Sequence, residues 1–225
     1  MPTTEIPKNP ERDDRLLRAW CALLERSGGD ADAEAFGREL LRRWSEPQRR
    51  YHTTAHLADM LDLLDDGDAG LAAHAEDADA VRLAVWFHDA VYRPDRSENE
   101  ERSAELALRA LGQAGVGDEL AREVERLVLL TTAHAPEPGD RNGEALCDAD
   151  LAVLARDPDG YAAYAAAVRE EYAFVPDDAF REGRSAVLRE LLALPRLYRT
   201  PAAQKFEAPA RRNLRWELNA LAAGA

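Results

Sequence analysis

Long apolar runs are missing from this chain of 225 residues. No stretch approaches about 18 uncharged apolar residues, the length that crosses a bilayer as a helix. The opening "MPTTEIPKNPERDD" has no apolar signal core either, so the expectation is a cytoplasmic protein without a membrane partner. Cysteine is scarce: Cys21 and Cys147 stand far apart without metal-type spacing. That excludes a thiolate zinc site and a disulfide framework, and it fits a reducing compartment. Aromatic residues make up only 7% of the chain and no alternating apolar-polar pattern is convincing, which excludes a sheet protein. Basic charge is short as well: 29 Lys and Arg face 43 Asp and Glu, a net charge of −14. A broad nucleic-acid-binding surface is thereby excluded, whereas a small anionic substrate could still meet locally concentrated arginines. There is no internal repeat.

What is present is helix-forming: Ala, Leu, Glu and Arg dominate, and 46% of residues are hydrophobic, enough for a real core. The fold class expected is all-α, a single domain over residues 1–225. Apolar periodicity, caps and breakers predict helices over Asp13–Arg26 and Ala31–Trp44, then one through "YHTTAHLADMLDLL" with His52 and His56 a turn apart. Further helices are predicted from Asp77 to Val91, from a Ser97 cap with Glu100 at the capping-box position, and from Asp118 to Thr132. "CDADLAVLA" reads as a helix start, where a helix N-terminus welcomes carboxylates. Three more helices, Tyr161–Tyr172, Ala179–Leu194 and Ala203–Leu221, are separated by Pro176, Pro195 and Pro201.

The stretch "VWFHDAVY" sets His88 and Asp89 among large apolar side chains, where an unpaired imidazole and carboxylate would cost several kcal/mol. A metal ion or an internal hydrogen-bonded pair could compensate them. The other candidates for chemistry are His52, His56 and His134, and the acids Asp148 and Asp150. His74 reads as an exposed residue.

The order His52, His88-Asp89, His134, Asp148/Asp150 resembles the HD superfamily of metal-dependent phosphohydrolases. The resemblance covers about Tyr51 to Ala155: "YHTTAHL" is similar to the first-histidine segment, "FHDAVY" to the defining doublet, "NEERSA" to the segment after it and "DADLAVL" to the closing aspartate. The helical tail over residues 158–221, with "YAAYAAAVREEY", "FREGRSAVLRELL" and "ARRNLRWEL", resembles an uncharacterised bacterial branch of the same superfamily. The resemblance implies an HD-like helical bundle with extra terminal helices and hydrolysis of a small phosphoester, a nucleotide first, by a metal-activated water. The alternative is a catalytically weak HD domain that binds a nucleotide or metal as a regulator. Metal ligands implied are His52, His88, Asp89 and one of Asp150 and Asp148, with Asp150 preferred. Two imidazoles and two carboxylates suit one divalent ion, Mn, Fe, Co, Ni or Mg, and leave positions for water and a phosphoryl oxygen.

In the deoxynucleotidase branch a glutamate follows the doublet by three residues; Tyr92 stands there in this chain. Proton transfer therefore falls to His56, Glu98, Glu100 or Glu101. Dinuclear HD proteins carry a histidine near the place of Asn99, so one ion is expected, with His134 in the site wall or on substrate. Arg169, Arg184, Arg211 and Arg212, among Tyr161, Tyr164, Tyr172 and Tyr198, are candidates for clamping a phosphorylated substrate, against the ordinary alternative of helix-surface pairing with acids. A homo-oligomer is left open.

Overall fold

The computed structural model describes residues 9–30, 32–67 and 70–223. Ala31, the expected start of the second helix, and the opening segment over residues 1–8 lie outside them. The described residues form an all-α fold with no strand among them: α1 (Pro10–Arg26), α2 (Ala33–Trp44), α3 (Thr54–Leu64), α4 (Ala78–Phe87), α5 (Asn99–Gln113), α6 (Asp118–Leu130), α7 (Arg141–Leu151), α8 (Pro158–Glu171), α9 (Asp177–Ala193) and α10 (Glu207–Ala223). No helix among them is long and apolar enough to cross a membrane.

The apolar run before the doublet becomes the central helix. Asp77 caps α4 by accepting from the N–H groups of Asp79 and Ala80, and Val81, Leu83, Val85, Trp86 and Phe87 are all buried. Burying each such side chain contributes about 1.5–3 kcal/mol, and it needs cover on every face. α1, α3, α5, α6 and α7 supply that cover. Trp20 of α1 meets Trp86 and Phe87 edge-on. α1 and α2 pack closely because Gly37 has no side chain: a Cβ there would fall 2.6 Å from both Leu17 Cδ1 and Trp20 Cδ1. The tail packs α10 against α8, α9 and the short turn Ala152–Ala155.

Several helix ends differ from the sequence expectation. α4 stops at Phe87 with His88 as its C-cap, so the doublet sits on the exit turn rather than within a helix reaching Val91. α3 begins at Thr54, capped by Thr53, so His52 precedes the helix and does not share a face with His56. α5 starts at Asn99, not behind a Ser97 cap. The Asn99 amide ties the preceding loop together, accepting from Arg93 N–H and donating to the carbonyls of Arg93 and Arg96. The largest difference is α7. Asp140 caps it through Gly143 N–H, so "CDADL" lies at its C-terminal end, where the helix dipole disfavours a carboxylate. Each aspartate there must be held by donors from elsewhere.

Candidate metal centre

Three helix C-terminal ends meet at one place: α4 brings His88, α7 brings Asp150, and the turn after α6 brings His134. Such ends carry partial negative charge and favour a cation. His56, in the first turn of α3, completes the cluster. His134 has a backbone φ of 49°, the only positive value at a described residue other than glycine. A left-handed residue closing a helix is ordinarily glycine; here it carries the imidazole that reaches Asp150.

His56, His88 and Asp150 each offer one ligand atom, and these atoms lie within 4.8 Å of one another, so the group could hold a metal ion. Hydrogen bonds fix the orientation of each ring. His88 Nδ1 is 2.9 Å from the carbonyl of Val85, an acceptor only, so Nδ1 carries a proton and Nε2 is the atom left for a ligand. Burial would lower the pKa of His88, but Asp89 and Asp150 outweigh it and raise the value to about 9, so a cation held there takes the place of the Nε2 proton. That Nε2 is buried and has no hydrogen-bond partner; Asp89 Oδ2 lies 3.2 Å away but out of line. A buried nitrogen left bare in this way fits a metal ligand. His56 Nδ1 meets the Tyr51 hydroxyl at 2.9 Å, and its Nε2 lies 3.1 Å from Asp150 Oδ1. Burial, with His88 and His52 nearby, holds His56 below the ordinary histidine range despite Asp150, favouring the neutral form. Its Nε2–H then donates to Asp150 while Nδ1 accepts from Tyr51, and ligation through Nε2 would move that proton to Nδ1, where the Tyr51 oxygen can accept it. Burial would raise Asp150, but its bonds to His134, at 2.7 Å, and His56 outweigh that and keep it ionised.

His52 stands beside this group, not in it. Its Nε2 is 3.9 Å from Asp89 Oδ2, and its ring is perpendicular to that of His56 at 6.0 Å between centroids. Its Nδ1 is bonded at 2.7 Å to Glu171 Oε2, at the end of α8. Glu171 Oε1 also accepts from the N–H groups of Arg50, Tyr51 and His52, and the Tyr92 hydroxyl donates to Oε2 at 2.8 Å. Burial depresses the imidazolium of His52, yet Asp89 and Glu171 prevail and its pKa is raised. Tyr92 thus touches a carboxylate supplied by the tail.

The remaining candidates divide. Asp148 is turned away: both its oxygens accept from Arg199 N–H and one from Thr200 N–H, so it pins the segment before α10 and is not among the three converging ligand atoms. Glu100 is half-buried; burial and repulsion from Asp89 and Glu101 raise its pKa, with His134 opposing, which sets it beside the site. Tyr172 lies next to Glu171 and feels Glu100 and Asp89, so it too borders the site. The expected anion clamp does not form. Arg169 holds the carbonyls of Tyr172 and Val175 and pairs with Asp177. Arg184 pairs with Glu217 in the tail's interior. Arg211 bonds Glu207 and the carbonyls of Leu192 and Leu194, and Arg212 is exposed. In Arg169, Arg184 and Arg211 nearby acceptors engage the guanidinium. His74, expected to be exposed, is half-buried against Glu144 at 2.6 Å.

Sequence reasoning missed Glu171 and Arg49. Glu171 follows Tyr161, Tyr164 and Val168 at helical spacing on the inward face of α8, a signal for a buried acid that the alternation of charges around it obscured. No family model, curated protein or solved structure matches this chain.

Proposed function

We propose that this chain is a divalent-metal-dependent phosphohydrolase of the HD type, acting on a small phosphorylated molecule, with nucleotides the first candidates. The observation that carries the reading is the bare, buried Nε2 of His88, facing His56 and Asp150. The ordered resemblance of four sequence segments supports it independently.

Residues His56, His88 and Asp150 would hold the ion, with Asp89 bordering them. In this arrangement His56 takes the ligand place that the resemblance implied for His52. When bound, the ion supplies Lewis acidity toward a phosphoryl oxygen and lowers the pKa of water. His52 is free for proton transfer. Glu171 fixes the proton on Nδ1, so Nε2, the nitrogen that faces Asp89, is the one that can deliver a proton to a leaving oxygen. Against burial, Asp89 and Glu171 raise its pKa, which favours the protonated form that an acid needs. His134 orients Asp150 and borders the space into which substrate would enter.

The test is an assay of the purified chain loaded with Mn, Co, Ni or Mg in turn, against a panel of nucleotides and a generic aryl phosphate. Metal-dependent release of phosphate or of the alcohol is expected. Tight nucleotide binding without turnover under every metal would overturn the enzymatic reading in favour of a regulatory domain.

A further inference from the structure

Arg49 is fully buried, at 0% exposure, and has no part in the chemistry proposed above. A guanidinium in that position needs compensation, and the partners it has are specific. Nη1 donates to the carbonyl of His52 and Nη2 to the carbonyl of Asp89, each at 2.9 Å. The second of these spans 40 residues of sequence. Its nearest carboxylate oxygen is on Glu46 at 3.6 Å, and Nε has no partner at all. The cation's hydrogen bonds go to main-chain carbonyls, which leaves the Asp89 carboxylate free.

The guanidinium also lies over two aromatic rings. Trp44 and Tyr92 each lie 5.3 Å away, ring centroid to guanidinium carbon. These two rings are the backing of the site: Trp44 packs against His88 at 5.4 Å and His56 at 6.3 Å, and Tyr92 lies 4.2 Å from His52. Gln48 ties the same two stretches of chain farther out, donating to the Tyr92 carbonyl at 3.1 Å. The turn before α3 and the exit turn of α4 are therefore joined through residues 48 and 49.

We propose that Arg49 is a positioning residue for the metal centre: by clamping the main-chain carbonyls of His52 and Asp89 it holds the exit turn of α4, which carries His88, against the turn that leads into α3 and His56. The inference rests on the reading that the site holds a divalent ion. A planar fork with two outward N–H groups bridges two fixed carbonyls while its charge lies over two rings; a lysine ammonium keeps the charge but not the shape. The buried cation also offsets the negative charge of Asp89 and Glu171 without competing for the ion.

The experiment compares wild type, Arg49→Lys and Gln48→Ala by calorimetric titration with Co2+, and by thermal melting with and without Co2+. Losing an outer partner of a ligand set typically costs about 10–100-fold in metal affinity; Arg49→Lys is expected in that range and Gln48→Ala below it. The rise in melting temperature on adding Co2+ should shrink in Arg49→Lys. If Arg49 only fills the core, metal-free and loaded melting fall together and Co2+ affinity is unchanged, which overturns the proposal. A variant that is unfolded even in the cold overturns it as well, because Arg49 would then support the fold and not the site. A wild-type chain that takes up no Co2+ removes the metal reading itself, an outcome distinct from equal binding by wild type and Arg49→Lys.

Discussion

His52 donates from Nδ1 to Glu171 Oε2 at 2.7 Å across 119 residues of sequence, while the other oxygen of the same carboxylate gathers three consecutive backbone N–H groups, Arg50 to His52. One acid from the tail thus fixes both the conformation of the turn and the tautomer of the histidine.

A stability window in pH follows from that pair. Glu171 would be raised by burial, but His52 and the backbone N–H groups pull it down to about 2 from an ordinary 4.5. A depressed carboxyl contributes stability present above its unfolded pKa and lost as pH falls through the folded one. The loss therefore runs from about pH 4.5 down to 2, on the order of 3 kcal/mol. His52 is shifted upward, so its share is full below its unfolded pKa, about 6.5, and is lost as pH rises through the folded value. The two shifts describe one interaction and are not summed; it is strongest between roughly pH 4.5 and 6.5. Thermal melting across acid and neutral pH should show this dependence in wild type and flatten in Glu171→Gln. An identical profile in the variant would count against the pair.

The two aspartates of "DAD" should separate cleanly. Asp150→Asn is expected to lose bound metal while the helical signal persists. Asp148→Asn should keep its metal and lose stability by about 1–3 kcal/mol, because buried backbone N–H groups of Arg199 and Thr200 lose their charged acceptor. Elemental analysis beside circular dichroism reads both. Metal loss in Asp148→Asn and not in Asp150→Asn would reverse the assignment.

Residue type and spacing made much of this legible. The run Leu83–Phe87 reads as buried because all five of its residues are apolar, and the all-α class follows from composition and period. Histidines and acids near that run are singled out by chemistry alone. Which of them converge is not legible, because His56 and Asp150 are 94 residues apart and meet only through the packing of α3, α4 and α7. The end of α7 looks like a helix start for a physical reason: carboxylates favour helix starts, and the sequence does not show that His56 and His134 hold Asp150 against the dipole at a helix end. Arg169, Arg184 and Arg211 looked available because their partners lie on neighbouring turns and helices whose contacts no local pattern reveals.

His134 can be tested through its backbone. A left-handed conformation costs a residue with a Cβ about 1–2 kcal/mol relative to glycine, somewhat less for short polar side chains. His134→Gly should relieve that cost, offsetting the lost bond to Asp150, so its melting temperature should stay close to wild type. His134→Ala keeps the strain and loses the bond, and should be the less stable of the two. Both should lose activity. A His134→Ala protein as stable as His134→Gly would mean that the backbone there is not strained.

Arg184 should report on the fold and not on substrate. Its ion pair with Glu217 is nearly buried, and its guanidinium also reaches the Tyr164 hydroxyl at 3.3 Å. Arg184→Ala leaves Glu217 without its partner and should cost about 3–5 kcal/mol, while joint replacement of the pair by apolar residues of similar volume should cost far less. Chemical denaturation measures both. The Co2+ affinity of variants that remain folded should be unchanged; a fall in affinity without a fall in stability would place Arg184 at the site after all.

The sharpest separation is between His52 and His56, which the resemblance and the geometry assign differently. His56 Nε2 belongs to the group of three ligand atoms within 4.8 Å, whereas His52 is bound at Nδ1 to Glu171 and directs Nε2 toward Asp89. His56→Ala should therefore bind Co2+ weakly or not at all, since two of three close donors remain. His52→Ala should bind Co2+ within a few-fold of wild type and lose turnover by about 10²–10⁴, the usual contribution of a positioned acid or base. The loss should be smaller for a substrate whose leaving group needs no proton, such as an aryl phosphate with an acidic phenol. If His52→Ala loses the metal and His56→Ala retains it, His52 is the ligand and the proton-transfer role passes to His56. Comparing the two leaving groups across both variants identifies the histidine that delivers the proton, since only its removal is compensated by a better leaving group.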